Sequence, residues 1–270
     1  MAKSVKRAFK YRFYPSPEQA VELSRTFGCV RLVWNKALDE RTKAYVTEQR
    51  KTTYVQASAA LTEWKKTDEL AFLNKVSSVP LQQALRHQQT AFGNFFAKRA
   101  KYPRFKSRKK TRSSAEYTRS AFRWRDGQLT LAKMSEPLDI HWSRDLPGEP
   151  STVTVSRDSA GRWFVSILTE DAIAAARPTD SSIGVDVGLT SLATLSTGEK
   201  IANPRHERAD RHKLAAAQRN LARKQKGSNN REKARQKVAR VHARIADRRT
   251  DFLHKLSTRL IRENQAIAIE

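Results

Sequence analysis

Ile183-Gly184-Val185-Asp186-Val187-Gly188-Leu189 is an apolar run with one carboxylate inside it. Its length and β-branched content predict a buried strand. Residues 192–195 and 200–201 follow, with Thr197-Gly198-Glu199 as a turn between them, and predict a three-strand meander. Downstream, residues 205–262 carry nineteen Lys or Arg and five acids. Leu214, Leu221, Val238, Val241, Ile245, Phe252, Leu256 and Leu260 can line one side of a helix there. Gly227-Ser228-Asn229-Asn230 is a natural break, so two antiparallel helices are expected. Ala266-Ile267-Ala268-Ile269-Glu270 then reads as another buried strand that reaches an acid.

A carboxylate buried in a run such as 183–189 is costly unless something compensates it, and a bound cation does so. The alternative is an acid at a strand end that points to solvent. Glu270 also follows an apolar run, and in a mixed sheet two such strand ends can lie side by side. Two-metal phosphodiester hydrolysis needs several carboxylates holding ions about 3.5–4 Å apart. Mg²⁺ favours oxygen ligands and keeps waters and phosphate oxygens. Gly184 and Gly188 would let a polynucleotide backbone approach closely. An acid, a meander, basic helices and a second acid together read as a nuclease of the RNase H-like type. Asp186 and Glu270 are its candidate catalytic and metal-ligating residues.

Before this region the chain changes character. In residues 5–14, Phe9, Tyr11 and Phe13 alternate with Lys10 and Arg12, which predicts a strand with one basic face. Ser16 suits an N-cap and Pro17 the first helical position. The helix that follows has Leu23, Phe27, Val30, Val33, Trp34 and Leu38 on one face, and Gly28 is expected to divide it. Two helices about a Gly turn suit either a helix-turn-helix DNA reader or a hairpin in a bundle. Residues 54–66 and 80–99 predict further helices, so 16–99 reads as a helical block. Residues 128–131, 151–155 and 163–168 predict strands, with turns at Asp126-Gly127 and Ala160-Gly161. These strands are expected to join the first one in a small barrel into which the helical block is inserted. An Ala-, Pro- and Ser-rich linker is expected over 173–182.

The 270-residue chain has 53 Lys or Arg against 27 Asp or Glu, a formal net charge of +26. Such an excess points to a phosphate-rich partner. Twelve of these cations fall between Lys98 and Arg125, against one acid, Glu116, with Phe105, Tyr117, Phe122 and Trp124 interleaved. That mixture suits backbone neutralisation plus stacking. Arg104, Lys106, Arg108, Lys109, Lys110, Arg123 and Trp124 are the candidate contacts, with Arg223, Lys224 and Lys226 beside the predicted helical break. For 106–114 a disordered basic loop is the alternative. The single cysteine, Cys29, excludes a disulfide framework or a Cys-rich zinc site within these residues, and its apolar surroundings predict a small buried side chain. With no secretory-type leader and no run of membrane-spanning length, a cytoplasmic location is expected.

Several stretches resemble one family. They are Gly184 to Leu189, Asn203-Pro204-Arg205, Gly227-Ser228, the Arg- and Lys-rich helix, and Asp251-Phe252-Leu253-His254-Lys255-Leu256-Ser257. Phe13-Tyr14-Pro15, Trp34-Asn35 and Tyr102-Pro103-Arg104-Phe105-Lys106 belong with them. The combination resembles the transposon-encoded TnpB (OrfB) proteins, relatives of the type V CRISPR effector nucleases. The resemblance implies a Mg²⁺-dependent, RNA-guided DNA endonuclease of multidomain α+β fold. Its parts would be a β-barrel wedge domain (1–15 and 100–172), an inserted helical recognition lobe (16–99), the linker, and a partial RuvC-like domain (183–270). It implies that Asp186 is the first catalytic acid and Glu270 the second. Tyr54 and Gln82 match recognition-lobe positions that can face a short duplex motif beside the target, and Gln82 could pair bidentately with an adenine edge. The implied partners are a guide RNA from the transposon end and double-stranded target DNA, with the protein a monomer on RNA and a dimer left open. Complete members continue past the second acid into a zinc ribbon and a third catalytic Asp. Neither occurs in these 270 residues, so no zinc is expected here, Asp247 and Asp251 are expected as ion-pair or capping residues, and the chain reads as carboxyl-terminally truncated and inactive alone. The alternatives are a cleavage-deficient RNA-guided DNA binder and a transposition accessory DNA binder that needs no RNA.

Overall fold

In the computed structural model, which describes residues 3–108, 111–173 and 178–270, the aromatic alternation forms strand β1 (Lys3–Phe13). Phe9, Tyr11 and Phe13 are buried, while Lys10 and Arg12 face out. Helix α1 (Pro17–Glu48) begins at a reciprocal cap: Gln19 N–H donates to Ser16 Oγ at 3.3 Å and Ser16 N–H to Gln19 Oε1 at 3.1 Å. The helix is not divided at Gly28 but runs unbroken for 32 residues. Leu23, Phe27, Val30, Val33, Trp34 and Leu38 are all buried along it. That burial outweighs the roughly 1 kcal/mol that a mid-helix glycine costs. Cys29 is buried as expected, and burial pushes its thiol pKa up. Helices α2 (Tyr54–Trp64) and α3 (Ser78–Phe96) complete the helical part.

Strands β2 (Ser113–Thr118), β3 (Phe122–Arg125), β4 (Gln128–Leu131), β5 (Ile140–His141), β6 (Pro150–Arg157) and β7 (Trp163–Ile173) follow. β3 and β4 form a separate two-stranded ribbon, closed by the expected turn with Asp126 and Gly127 both at positive φ. The other five form a sheet of order β2-β6-β7-β1-β5. The expected barrel is therefore an open sheet among the described residues. Its apolar face is covered by helices instead of closing strands: Val153, Val155, Val165 and Ile167 share one hydrophobic cluster with Leu23, Phe27, Val30, Leu81 and Leu85. This sheet and these helices make up one compact unit, Ser4–Asp158 with Arg162–Ala172. Within the expected linker, residues 174–177 lie outside the described residues, and residue 173 still belongs to β7.

The second unit spans Ile173–Glu270, with Ser159–Gly161. Strands β8 (Ser182–Asp186), β9 (Ser191–Leu195) and β10 (Lys200–Ala202) form the antiparallel meander. Helices α4 (His206–Ala222) and α5 (Asn229–Glu263) follow, and β11 (Ala266–Ile269) returns parallel to β8. The strand forms as expected but is exposed along its length instead of buried, because it pairs with β8 alone at the end of the sheet order β10-β9-β8-β11. The break falls where expected: Gly227 adopts φ +89°, and Ser228 caps α5 by accepting from Arg231 N–H at 3.1 Å. Arg231 also donates to the carbonyls of Leu221 and Lys224, which satisfies the end of α4. Ile183, Val185, Ala193, Leu195 and Ile201 of the sheet pack with Leu260 of α5, and Phe252 and Leu256 lie against them. Asp210 of α4 is 2% exposed and accepts from Arg248 of α5 at 2.9 Å, with Arg244 at 4.0 Å. Asp251 pairs with Lys255 one turn on, as an ion-pair residue should. No helix among the described residues is long and apolar enough to cross a membrane.

Two stability outcomes follow from this packing. A Cβ at Gly148 would stand 2.8 Å from the carbonyl oxygen of Glu170, so Gly148→Ala should lower stability by about 1–3 kcal/mol in thermal or urea unfolding. Asp210→Ala strips a buried carboxylate from two arginines that are themselves half exposed. A loss of about 1–3 kcal/mol is expected in the same assay, below the figure for a fully buried pair.

Candidate functional site

The geometry at the ends of β8 and β11 is set by the backbone. Glu270 N–H donates to Val185 O at 3.0 Å, and Val187 N–H donates to Glu270 O at 3.3 Å. This continues the parallel register Ile267↔Ile183 and Ile269↔Val185, so Glu270 stands beside Asp186. Ile183 and Val185 point into the core, and by strand alternation Asp186 lies on the opposite face. Both acids are exposed. Asp186 is therefore not a buried charge; it occupies the strand-end position that faces solvent. Among the described residues no group of three or more His, Cys, Asp or Glu gathers as a metal-binding cluster. What the sheet offers is a pair of oxygen donors on neighbouring strands. Gly184 is fixed by its own sheet: its N–H donates to Ser196 Oγ at 3.0 Å, and an added Cβ would meet Ser196 Cβ at 3.4 Å.

The proposed nucleic-acid contacts divide into several environments. Tyr54, at the start of α2, is half-buried, with the Arg86 guanidinium 5.1 Å from its ring. Gln82 is exposed on α3, one turn before Arg86. Arg104 and Arg108 are exposed, and Lys109 and Lys110 lie outside the described residues. Lys106 is held in place: its ammonium sits 3.8 Å from the centroid of Trp34, and burial draws its pKa down. Its backbone is clamped by Asn35, whose Nδ2 donates to Lys106 O at 2.9 Å while Oδ1 accepts from Lys106 N–H at 2.8 Å. The Trp34 indole N–H donates to Arg104 O at 3.0 Å. Trp34 and Asn35 therefore tie the basic stretch after α3 onto α1, a role that side-chain type alone did not reveal. Arg123 is exposed, whereas Trp124 is half-buried with its ring edge-on to Trp142 at 5.8 Å. Arg223 and Lys226 are exposed at the tip of the α4–α5 hairpin, with Lys224 half-buried between them. Arg86 and Asp210 were missed by sequence reasoning, because their partners are far away in sequence and leave no local spacing to read.

Comparison with known proteins gives the family and the likeness of fold. Residues 154–270 match the OrfB family model described as "Probable transposase". Residues 1–50 match a model described as "Helix-turn-helix domain", although here that span holds β1 and the single unbroken helix α1. A "Putative RNA-guided DNA endonuclease" of Streptomyces pristinaespiralis is 74% identical over 100% of this chain and 68% of its own length. The "Putative RNA-guided DNA endonuclease InsQ" of Escherichia coli K12 is 35% identical over 98% of this chain and 65% of its own length. The chain thus spans about two thirds of the length of these relatives. In fold it resembles the protein of a Cas12f1–sgRNA–target DNA complex, with a TM-score of 0.53 at 10% identity over 99% of this chain and 81% of that one. On the strength of the family model, the identity to these relatives and the length shared with the first of them, the chain belongs to the TnpB (OrfB) family.

Proposed function

We propose that these 270 residues form the guide-binding, target-reading and partial nuclease part of an RNA-guided DNA endonuclease. The observation that carries the reading is the parallel pairing of β8 with β11, which sets Asp186 and Glu270 side by side on a solvent-facing strand end. Two adjacent carboxylates with no competing soft ligand suit Mg²⁺, which is bound through one or two carboxylates and otherwise keeps waters and phosphate oxygens. Asp186 and Glu270 would hold the ion, and when bound it supplies charge neutralisation at a phosphodiester and a more acidic water. The residues' own part is to present two fixed negative charges where a polynucleotide backbone can reach them.

In this reading the sheet of the first unit is the wedge (1–15 and 100–172), its helices (16–99) the recognition lobe, residues 173–182 the linker and 183–270 the RuvC-like part. Tyr54 and Gln82 face the duplex motif beside the target. Arg104, Lys106, Arg108, Lys109, Lys110, Arg123, Trp124, Arg223, Lys224 and Lys226 contribute to the phosphate-binding surface, Lys106 mainly by holding its segment in place. The net charge of +26 supports polyanion partners: a transposon-derived guide RNA and double-stranded DNA, bound by a cytoplasmic monomer. Only two of the three acids implied by the family resemblance lie within these residues. The polypeptide alone is therefore expected to bind RNA and guided DNA without efficient cleavage.

The test is direct. Purified from cells that also transcribe the transposon end, the chain should retain that RNA, with an affinity that falls about 10³-fold or more between 50 and 200 mM salt. Mn²⁺ binding, read by electron paramagnetic resonance as a surrogate for Mg²⁺, should weaken at least about tenfold in Asp186→Ala and in Glu270→Ala, while RNA binding holds. Absence of bound RNA would defeat the guided reading. Rapid Mg²⁺-dependent cutting by the chain alone would defeat the two-acid argument.

A further inference from the structure

The end of α3 carries a feature that neither the acid pair nor the core explains. Phe92, Phe95, Phe96 and Tyr102 form one aromatic cluster: Phe92 and Phe96 are stacked at 6.3 Å, and Tyr102 meets the edges of Phe92 at 5.5 Å and Phe95 at 5.3 Å. The cluster is not sealed. Phe96 is 64% exposed and Tyr102 43%. Large exposed rings in contact with one another mark a surface meant to be covered.

Its charge says by what. From Phe92 to Ser114 there are nine Lys or Arg and no acid. Behind the rings lies Arg41, 7% exposed, with its guanidinium 5.0 Å from the Phe92 centroid. Arg41 donates to Gln89 Oε1 at 2.7 Å, its Nε has no partner, and no carboxylate pairs with it among the described residues. A buried cation without a counter-ion biases the surface above it toward anions.

The chain also bends sharply here. Lys98 N–H donates to Phe95 O at 2.9 Å and Arg99 N–H to Asn94 O at 2.8 Å, the two bonds of a Schellman ending. The position that such an ending gives to glycine is held by Lys98 at φ +58°. A lysine there is strained, and strain of this kind is kept where the side chain serves another purpose. The Lys51 ammonium sits 6.0 Å from the Phe96 ring, and Lys98 and Arg99 follow Phe96 within three residues of chain.

We infer that Phe95, Phe96 and Tyr102, flanked by Lys98 and backed by Arg41, form a stacking platform for unpaired RNA bases. Rings take up the bases and Lys98 takes up a phosphate, while the buried Arg41 adds positive potential from behind. RNA is chosen over DNA because a single-stranded RNA offers unpaired bases that can stack on aromatic rings, whereas the proposed target is a duplex until opened. The inference thus rests on the RNA-guided reading given above.

The experiment is fluorescence anisotropy of a 12-nucleotide fluorescein-labelled oligo(A) RNA on the purified full chain, beside the same sequence as DNA. Phe96→Ala should weaken RNA binding about five- to hundredfold while the melting temperature falls only slightly, because the ring is mostly exposed. Lys98→Gly should also weaken binding and lower the salt slope by about 0.7, yet raise the melting temperature by about 2–4 °C. Loss of affinity together with a gain in stability is the signature that a merely structural role cannot give. Wild-type affinity in both variants would overturn the platform while leaving the RNA-guided reading intact. Tighter binding of DNA than of RNA would overturn the choice of RNA. A wild-type chain that binds no single strand at all and retains no cellular RNA would remove both readings together.

Discussion

Two backbone hydrogen bonds between the ends of β8 and β11 fix Glu270 beside Asp186, and the rest of the second unit is arranged to allow them. Parallel strands cannot be joined by a tight turn, so the chain must leave the sheet at one end and re-enter it at the other. The α4–α5 hairpin makes that return, and its packing is correspondingly firm. Leu260 anchors α5 on the sheet, and Asp210 fastens α4 to α5 by accepting from Arg248. The position of Glu270 beside Asp186 is the end result of this packing, and Glu270 enters it through its backbone and not its side chain.

The first unit solves a different problem. A five-stranded sheet with one apolar face needs a cover, and here the cover comes from helices inserted between its first and later strands. α1 carries most of the burden, as a continuous rod whose Trp34 and Asn35 reach across to pin residues 104–106. The basic segment after α3 is therefore anchored at one point and exposed on either side of it. That is a sound arrangement for presenting charge: the backbone is fixed where the loss of freedom is compensated by hydrogen bonds, and the side chains at Arg104 and Arg108 stay in water.

Much of this was legible in the residues. The meander, the hairpin break at Gly227, the strand at 266–269, the Ser16 cap and the Asp126-Gly127 turn all rest on local chemistry, and local chemistry is what a sequence displays. The misreadings share a cause. Gly28 looked like a helix break because propensity was weighed without the burial of Phe27 and Val30 beside it. The barrel failed to close because β4 pairs with β3 and helices take the covering role, a choice made by tertiary packing. Asp186 was read from the apolar residues around it, yet alternation turns it to the outer face at the strand's end. Lys106 is one cation among many in the sequence, and its place over Trp34, seventy-two residues earlier in the chain, exists only in the folded protein.

The hairpin tip has a consequence for how such a protein can vary over evolutionary time. Residues added between α4 and α5 at Gly227–Asn230 lengthen an exposed turn and leave the register of both helices intact, at a small entropic cost. One residue added within α5 instead rotates everything after it by a quarter turn or more, unseating Leu260 and shifting Glu270 out of line with Asp186. Length changes that leave the acid pair undisturbed are thus channelled to the tip, where Arg223 and Lys226 stand exposed, so the reach of this basic arm can change without moving the acids at its base.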